Sequence, residues 1–243
     1  MAETYKKVMA DMKKAGIIGG IGPASTLDYY SGIINGVRAK TNSENYPGIL
    51  INSINMTEML TLVSNEDWES LVAVLLAAVK VLAAAGADFA AIASNTPHIV
   101  FDRIKRRSAL PLISIVEATC ERARAKNIKK AVIIGTRFTM SSGLYSAALG
   151  KHGIAAVVPS EKDQTAIHNI IFPRLEDGVV VPEDKLKMLE IVNGLTAEHR
   201  ADALILACTE LPLMIKSGDS NAMILNTTQI HIDAIVNAVI CAE

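Results

Sequence analysis

Short runs of four or five apolar residues alternate along this chain with longer stretches in which apolar residues recur every three or four positions. The short runs predict buried strands, and the longer spacing predicts amphipathic helices. Strands that are apolar throughout are typical of parallel sheets covered by helices on both faces. The predicted strands are residues 16–20, 49–52, 89–93, 112–115, 131–135, 154–158, 203–207 and 223–226. The pattern therefore predicts an α/β fold with mostly parallel sheets.

The helices predicted between these strands have ordinary start and stop signals. The longest, 66–85, ends at Gly86, a residue that suits a helix C-terminus, and Ser64 or Asn65 is its predicted cap. Ser25 is the predicted cap of the helix after the first strand. The remaining predicted helices are 97–107, 116–126, 141–152, 161–200 with a break near 173–182, and 228–242.

Two segments of the chain occur twice. Residues 13–19 read KKAGIIG, and residues 129–135 read KKAVIIG, 116 positions later. Residues 87–94 read ADFAAIAS, and residues 201–208 read ADALILAC, 114 positions later. Two matches at nearly the same offset predict two similar lobes related by pseudo-twofold symmetry.

The repeat also predicts the boundaries of the lobes. We expect α/β lobes at 14–116 and 117–225, with the last helix, 226–243, packing back on the first lobe. Ser94 and Cys208 then occupy equivalent strand ends. If the lobes face each other about the symmetry axis, the two side chains flank one substrate from opposite sides. That arrangement suits chemistry with an acid on one face of a carbon and a base on the other.

Composition narrows the choice of partners. The 243 residues are 50% hydrophobic, which is enough to give each lobe its own core. The 24 basic and 25 acidic residues nearly cancel, no basic stripe is present, and aromatic residues make up only 4%. Nucleic acid and charged membrane surfaces are therefore unfavoured partners.

The cysteines and the N-terminus indicate a cytoplasmic protein. Cys120, Cys208 and Cys241 are too few and too widely spaced for a disulfide framework or a metal site, which fits a reducing compartment. The first 14 residues predict a short amphipathic helix and lack the apolar core of a secretory signal. No apolar run is long enough to span a membrane.

Polar residues follow several predicted strands. In parallel sheets ligands bind beyond the carboxyl ends of the strands, and five features lie at such ends. They are the Gly20–Pro23 loop, Asn52–Ser53, Ser94, Thr136 and Cys208. This convergence is the main argument from the residues for a binding site.

Each of these features has a plainer interpretation. The Gly20–Pro23 loop lacks the third glycine of a dinucleotide loop, so it is either a tight turn or a site for a small carboxylate at a helix N-terminus. Cys208 alone reads as an inert buried thiol. Its place before Thr209 and Glu210 favours function, and a helix starting at 209–213 predicts a lowered thiol pKa.

The remaining candidate residues also have plain structural interpretations. Ser94, followed by Asn95 and Thr96, could act only as a helix cap. His98 and His231 have no second ligand at metal spacing and are read as polar helix residues. Cys120 and Cys241 are interpreted as structural, and no metal or cofactor is expected.

Three motifs in order resemble the aspartate/glutamate racemase family. They are GIIGGIGPAST from residue 16, ASNTPH from residue 93 and ACTELP from residue 207, and the resemblance extends from residue 14 onward. It includes SGLY (142–145), which follows Thr136 and Thr139. The resemblance implies a homodimeric, cofactor-independent enzyme whose two lobes enclose a small amino acid. One thiol removes the α-proton, and a second thiol on the opposite face returns one.

The chain departs from this family at the first catalytic position. The family pattern is Cys-Asn-Thr, whereas this chain has Ser94 before Asn95 and Thr96; the second pattern, beginning at Cys208, is intact. Family members with a hydroxyl residue at the first position look biased toward the L-amino acid. The resemblance implies that Cys208 deprotonates an L-substrate while Ser94 delivers or relays a proton on the other face. Whether Ser94 is natural or an engineered, inactivating change is open at this point.

The resemblance also implies substrate-binding residues. They are Ile21, Gly22, Ser53, Asn95, Thr96, Thr136, Gln164, Thr209 and Glu210. Some aspartate-selective members carry Lys at the position of Gln164 and Arg in the loop near 55–59, and a family Asp is common at Asn226. None of these is present here, so the preference for aspartate, glutamate or a broader range stays open.

The leading hypothesis is an amino-acid racemase acting on L-aspartate or L-glutamate. Two alternatives remain open from the sequence. One is a single-cysteine decarboxylase or isomerase of the same superfamily, in which a thiol protonates a carbanion. The other is a non-catalytic amino-acid-binding protein that kept the pocket. Exchange of the α-proton with solvent deuterium separates the racemase from the decarboxylase, and binding without exchange favours the binding protein.

Overall fold

The computed structural model describes residues 12–240. Most of the predicted N-terminal helix and Cys241 lie outside these residues. The chain divides into two compact units: the first comprises residues 1–114 and 231–243, and the second comprises 115–230.

The first unit is a four-stranded parallel sheet with helices. Its strand order is β2-β1-β3-β4, and β1 pairs with β2 and β3 in register from Ala15 onward. Its elements are β1 (Ala15–Gly19), α1 (Pro23–Thr41), β2 (Ile49–Ser53), α2 (Met56–Ser64), α3 (Trp68–Ala84), β3 (Phe89–Ile92), a 3-10 helix (Thr96–Val100), α4 (Phe101–Lys105) and β4 (Leu112–Ile113).

The second unit repeats this topology with the strand order β6-β5-β7-β8, again all parallel. Its elements are α5 (Ile115–Ala125), β5 (Lys130–Gly135), α6 (Arg137–Ser141), α7 (Leu144–Gly150), β6 (Ala155–Val157), α8 (Glu161–Ile170), a π-helical turn (Ile171–Leu175), α9 (Pro182–His199), β7 (Ala203–Ala207), α10 (Leu211–Met214) and β8 (Met223–Asn226). The last helix, α11 (Thr227–Ile240), belongs to the first unit from His231 onward.

The two sheets confirm the predicted α/β class. The central strands β1, β3, β5 and β7 are buried almost throughout, and successive residues of a central strand join different apolar clusters. Ile133 packs in one cluster of the second unit, whereas Val132 and Ile134 pack in the other. Tyr29 and Tyr145, which lie 116 positions apart like the repeated segments, are both fully buried. The sequence repeat is therefore also a repeat in structure.

In the first unit, α11 supplies part of the core. Its residues Ile232, Ile235 and Val239 join a buried cluster with Ile17 of β1 and Tyr29 of α1. The backbone N–H of Lys13 also donates to the carbonyl of Val239 at 3.1 Å.

Several local predictions need correction. The helix α2 was missed, and α3 is capped by Asp67, whose side chain accepts from the N–H of Ser70, rather than by Ser64 or Asn65. The cap position of α1 is Gly22 rather than Ser25.

The helix predicted at 141–152 is instead the pair α6 and α7, with Gly143 in the cap position of α7. The helix predicted at 97–107 begins as a 3-10 helix and turns α-helical at Phe101. Within residues 12–240, none of the helices combines the length and the apolar character needed to cross a bilayer.

Candidate active site

The carboxyl edge of the first sheet brings together three predicted features. Ser53 ends β2 beside β1, and a Cβ placed on Gly20 would lie 2.5 Å from the Ser53 Oγ. The N–H of Ala93 donates to the carbonyl of Ile18 at 2.9 Å, which holds the segment before Ser94 against the end of β1. The loop after β1, Ser53 and Ser94 therefore meet at one edge.

The loop after β1 is shaped by its glycines. Gly20 and Gly22 have φ values of +81 and +85, a region that side-chain-bearing residues rarely adopt. Gly22 occupies the N-cap position of the 19-residue α1 without a side-chain cap, and Pro23 follows as the first helical residue. This geometry provides the tight turn, and it leaves backbone N–H groups of the helix start without a capping side chain. Carboxylate binding at Ile21 and Gly22 remains a prediction.

Ser94, Asn95 and Thr96 are buried, with exposed fractions of 9%, 4% and 9%. Asn95 occupies the N-cap position of the 3-10 helix, but its side chain makes no capping hydrogen bond. The Asn95 side chain therefore does not serve as the cap of this helix.

The carboxyl edge of the second sheet carries the other predicted residues. Thr136 follows β5, and Cys208 follows its neighbour β7, where Gly135 pairs with Ala207. Thr136 also caps α6 by accepting from the N–H of Thr139 at 3.3 Å. The side-chain amide of Gln164 donates to the carbonyl of Pro159 at 2.9 Å, beyond the end of β6.

Cys208 is held by its neighbours in a buried acidic pocket. Its Sγ donates to Glu210 Oε2 at 3.0 Å, and the Thr209 hydroxyl donates to the other oxygen, Oε1, at 2.7 Å. Glu176 is the third member of this cluster. The Cys208 Sγ and one carboxyl oxygen each of Glu176 and Glu210 all lie within 4.8 Å of one another. Cys208 and Glu210 are only 6% and 4% exposed. Among the described residues, this trio could also hold a metal ion.

The surroundings of Cys208 overturn the predicted pKa direction. Burial raises the pKa of the thiol well above its ordinary value, and the carboxylates of Glu210 and Glu176 raise it further. The helix expected to lower it, α10, has only four residues, so its dipole is too small to compensate. The group is thus a protonated thiol at neutral pH, already hydrogen-bonded to a carboxylate.

The carboxyl of Glu176 titrates near neutral pH. Burial, then the charge of Glu210, then that of Asp177 raise the pKa of its carboxyl from 4.5 to about 7. Glu176 follows the π-helical turn, far from Cys208 in the sequence. The residue patterns did not single it out, because a lone acid in a turn resembles any solvated residue.

Replacing Glu176 with Gln should change the pH dependence of stability. A carboxyl whose pKa is higher in the folded state favours folding below pH 4.5, and this contribution is lost as pH rises to about 7. The Glu176→Gln protein has no carboxyl at this position and does not lose this stability. With screening at a partly exposed carboxyl allowed for, the loss avoided is about 1 kcal/mol of the free energy of unfolding. Its Tm relative to the wild type should therefore rise by about 2–4 °C across this range.

Thermal unfolding followed between pH 4.5 and 8 tests this expectation. The exposed carboxyl of Glu190, on α9 of the same unit, offers the matched control Glu190→Gln. A Tm difference for Glu176→Gln that does not change across the range, or that changes equally in the control, contradicts it.

His98 and His231 lie in helices, as predicted, and both are buried. Their exposed fractions are 3% and 0%. His98 Nδ1 lies 2.9 Å from the carbonyl oxygen of Ser94. His231 lies between the Tyr29 hydroxyl and the carbonyl of Ile113. Both histidines belong to the first unit, as does Ser94.

Comparison with known proteins identifies the relatives of this chain. A family model described as Asp/Glu/Hydantoin racemase matches residues 18–235. The "Broad specificity amino-acid racemase RacX" of Bacillus subtilis (strain 168) is 28% identical over 218 residues, which are 88% of this chain and 92% of that protein.

Solved structures agree with the family match. An aspartate racemase homologue from Pyrococcus horikoshii OT3 is 35% identical, with a TM-score of 0.84 over 94% of this chain and 99% of its own. The Picrophilus torridus aspartate racemase is 25% identical, with a TM-score of 0.72 over 93% of this chain and 94% of its own.

Proposed function

We propose that this chain, which belongs to the Asp/Glu/hydantoin racemase family, interconverts the enantiomers of aspartate or glutamate through Cys208 and Ser94. That it is an isomerase, an amino-acid racemase acting on a small amino acid, follows from its family and its racemase relatives. The preference for acidic substrates, the roles of the two residues and the absence of a cofactor are the proposal. The observation that carries it is the hydrogen bond from Cys208 Sγ to Glu210 Oε2.

This hydrogen bond provides a route for activating the thiol. The Cys208 proton moves to Glu210, which leaves a thiolate in a buried site at the end of β7. The thiolate then removes the α-proton of the L-amino acid and becomes a thiol again. The carbanion takes a proton on its other face from the Ser94 hydroxyl, which regains one from water. Return of the Glu210 proton to solvent closes the cycle without a redox change.

Making the thiolate has a free-energy cost that the site must offset. The ordinary pKa values of Cys and Glu differ by about 4, so the transfer costs at least about 6 kcal/mol, and burial of the Cys208 thiol adds to this cost. A reaction at about 10 s⁻¹ has a total barrier of roughly 16 kcal/mol, which leaves room for this step. The substrate ammonium would in turn be attracted to this acidic pocket and stabilise the thiolate.

The predicted binding residues divide between the two units. Ile21, Gly22, Ser53, Asn95 and Thr96 stand at the edge of the first sheet, and Thr136, Gln164 and Thr209 stand at the edge of the second. Backbone N–H groups, hydroxyls and side-chain amides of this kind suit the carboxylate and ammonium of an amino acid. We propose that they hold those groups.

One cation supports an acidic side chain in the substrate. The chain lacks the lysine that some aspartate-selective members have at Gln164. The Arg137 guanidinium nevertheless donates to Thr165 Oγ1 at 3.3 Å, on the helix turn that also carries Gln164. Arg137 directly follows Thr136 at the end of β5 and is exposed. It is therefore a candidate partner for the distal carboxylate of aspartate or glutamate.

We also propose that the protein is a cytoplasmic homodimer. The first unit exposes several large apolar side chains, among them Leu27 and Tyr30 on α1 and Ile51 on the edge strand β2. Their exposure supports self-association. The free thiols of Cys120 and Cys208 support a reducing compartment. Light scattering should give twice the 26.0 kDa of one chain, and a monomeric mass would contradict the dimer. Cell fractionation tests the location.

A screen for deuterium uptake tests the proposed function. The protein is incubated in D₂O with each common L- and D-amino acid, loss of the α-proton signal is followed by NMR, and inversion is followed by chiral chromatography. We expect exchange and inversion to be fastest for aspartate or glutamate. Exchange with other amino acids only would refute the acidic preference. Binding with no exchange for any amino acid would refute the racemase mechanism and favour a binding protein.

A further inference from the structure

His98 is fixed directly behind Ser94. It lies in the 3-10 helix that follows β3, and its ring stacks on Phe101 with centroids 4.9 Å apart and planes 11° apart. Its Nδ1 lies 2.9 Å from the carbonyl oxygen of Ser94. Because a carbonyl oxygen can only accept, Nδ1 carries the hydrogen and donates it. The His98 side chain thus holds the backbone of Ser94, the residue proposed to serve one face of the substrate.

His231, on α11, packs against the His98 ring. Its Nε2 lies 3.0 Å from the carbonyl oxygen of Ile113, and its Nδ1 lies 2.7 Å from the Tyr29 hydroxyl. The carbonyl requires the hydrogen on Nε2, so Nδ1 accepts from the hydroxyl. The rings of His98 and His231 meet edge to face at 6.2 Å.

Both rings are neutral over the working range of an enzyme. Burial lowers the pKa of His98 to about 3, with a further contribution from His231, and burial lowers the pKa of His231 to about 4. His98 is thus a poor acid or base near pH 7, and its Nδ1–H already has a partner. It is suited to hold a position rather than to transfer a proton.

The backbone around Ser94 is held from a second side. The Ser25 hydroxyl, on α1, donates to the carbonyl of Ala93 at 3.2 Å. The N–H of Ser94 donates to the carbonyl of Ile92 at 2.8 Å. Side chains from two helices therefore fix consecutive carbonyl groups, at Ala93 and Ser94. This fixes the direction in which the Ser94 side chain leaves the chain.

We infer that His98 is a positioning residue for the Ser94 side of the reaction, acting through its Nδ1–H on the Ser94 carbonyl. The inference rests on the proposed function. Inversion of the substrate needs proton delivery from Ser94, so His98 should affect it. Deuterium exchange with retained configuration needs only Cys208, so His98 should affect it little. Misplacing a reacting group by about 1 Å can cost about 100-fold in rate. Loss of the His98 contact should therefore lower inversion relative to exchange by about 10- to 100-fold.

Two substitutions of similar polarity test the contact. In His98→Asn the amide nitrogen is bonded to Cγ, as Nδ1 is, so it can replace the donor toward Ser94. In His98→Gln the amide nitrogen lies one bond further out, near the place of Nε2. The readout is the ratio of inversion to retained-configuration deuterium exchange, measured on one sample with the L-substrate. This ratio does not depend on the folded fraction. We expect it to fall in His98→Gln and to be largely kept in His98→Asn.

Tyr29→Phe is the matched control. It removes a hydrogen bond from His231 in the same buried network, which should lower Tm, but it changes neither the Nδ1–H of His98 nor the Ser94 carbonyl that accepts from it. Its ratio should equal that of the wild type. Equal ratios in both His98 variants, or an equal fall in Tyr29→Phe, overturn the inference. If His98→Gln does not fold, His98→Ala takes its place with the same expectation. A wild type that shows no exchange, or exchange without inversion, refutes the proposed function instead.

Discussion

In the Cys208→Ala protein, deuterium uptake at the α-carbon of L-aspartate or L-glutamate falls by at least about 10³-fold. The thiol lies at the end of β7, and its Sγ donates to Glu210 at 3.0 Å. Removing it deletes the base and leaves the acidic pocket intact. A carboxylate cannot replace it, because the α-proton is too weakly acidic for so weak a base. Proton NMR in D₂O measures the loss.

A second cysteine makes the test specific. Cys120 is buried in the same unit, on α5, and is likewise free. Cys120→Ala leaves a small cavity and some loss of stability, but it should keep the wild-type exchange rate per folded molecule. Cys208→Ser, which keeps a donor toward Glu210, should be as inactive as Cys208→Ala. Wild-type exchange in either Cys208 variant would remove this residue from the mechanism.

The fold was predictable because its signals are local. Segments such as 131–135 and 203–207 are apolar throughout, and the two sheets explain why: their successive residues enter clusters on opposite faces. The repeated segments around β1 and β5 became equivalent central strands of two sheets with the same order. The helix α2 was missed because its cap, Asn55, lies close after β2 in a stretch that read as a loop.

The chemistry around Cys208 was less predictable. The following residues correctly indicated a helix starting at 209–213, and the inference of a lowered thiol pKa followed from it. The raised pKa of the thiol comes first from its burial and then from the carboxylates of Glu210 and of Glu176, which is far from Cys208 in the sequence. A pattern along the chain shows which residues are apolar, but it does not show which charged groups become neighbours.

The burial and the partners of the two histidines were not predictable for a related reason. His98 and His231 stand on helices among polar residues, and nothing in their spacing separates an exposed ring from a buried one. In the structure their partners are backbone carbonyls and Tyr29. Such partners depend on how β3, β4, α1 and α11 pack together, so only the fold shows them.

Ser94→Cys should raise the rate of racemisation by about 10²-fold or more. A thiol with an ordinary pKa near 8.5 is a far better base than a serine hydroxyl. The change also keeps the size of the side chain at a buried position. Two enantiomers have equal free energies, so kcat/KM must rise equally in both directions. The asymmetry therefore appears in deuterium exchange: exchange of the D-enantiomer, which needs a base at position 94, should rise more than exchange of the L-enantiomer.

Ser94→Ala provides the opposite change at the same position. Without the hydroxyl, inversion should fall while Cys208 still exchanges the α-proton of the L-substrate, so exchange and inversion separate. Chiral chromatography and NMR on the same samples give both rates for the wild type and the two variants. If Ser94→Cys raised exchange of the two enantiomers by the same factor, or if Ser94→Ala lost exchange and inversion together, the two residues would not serve separate faces.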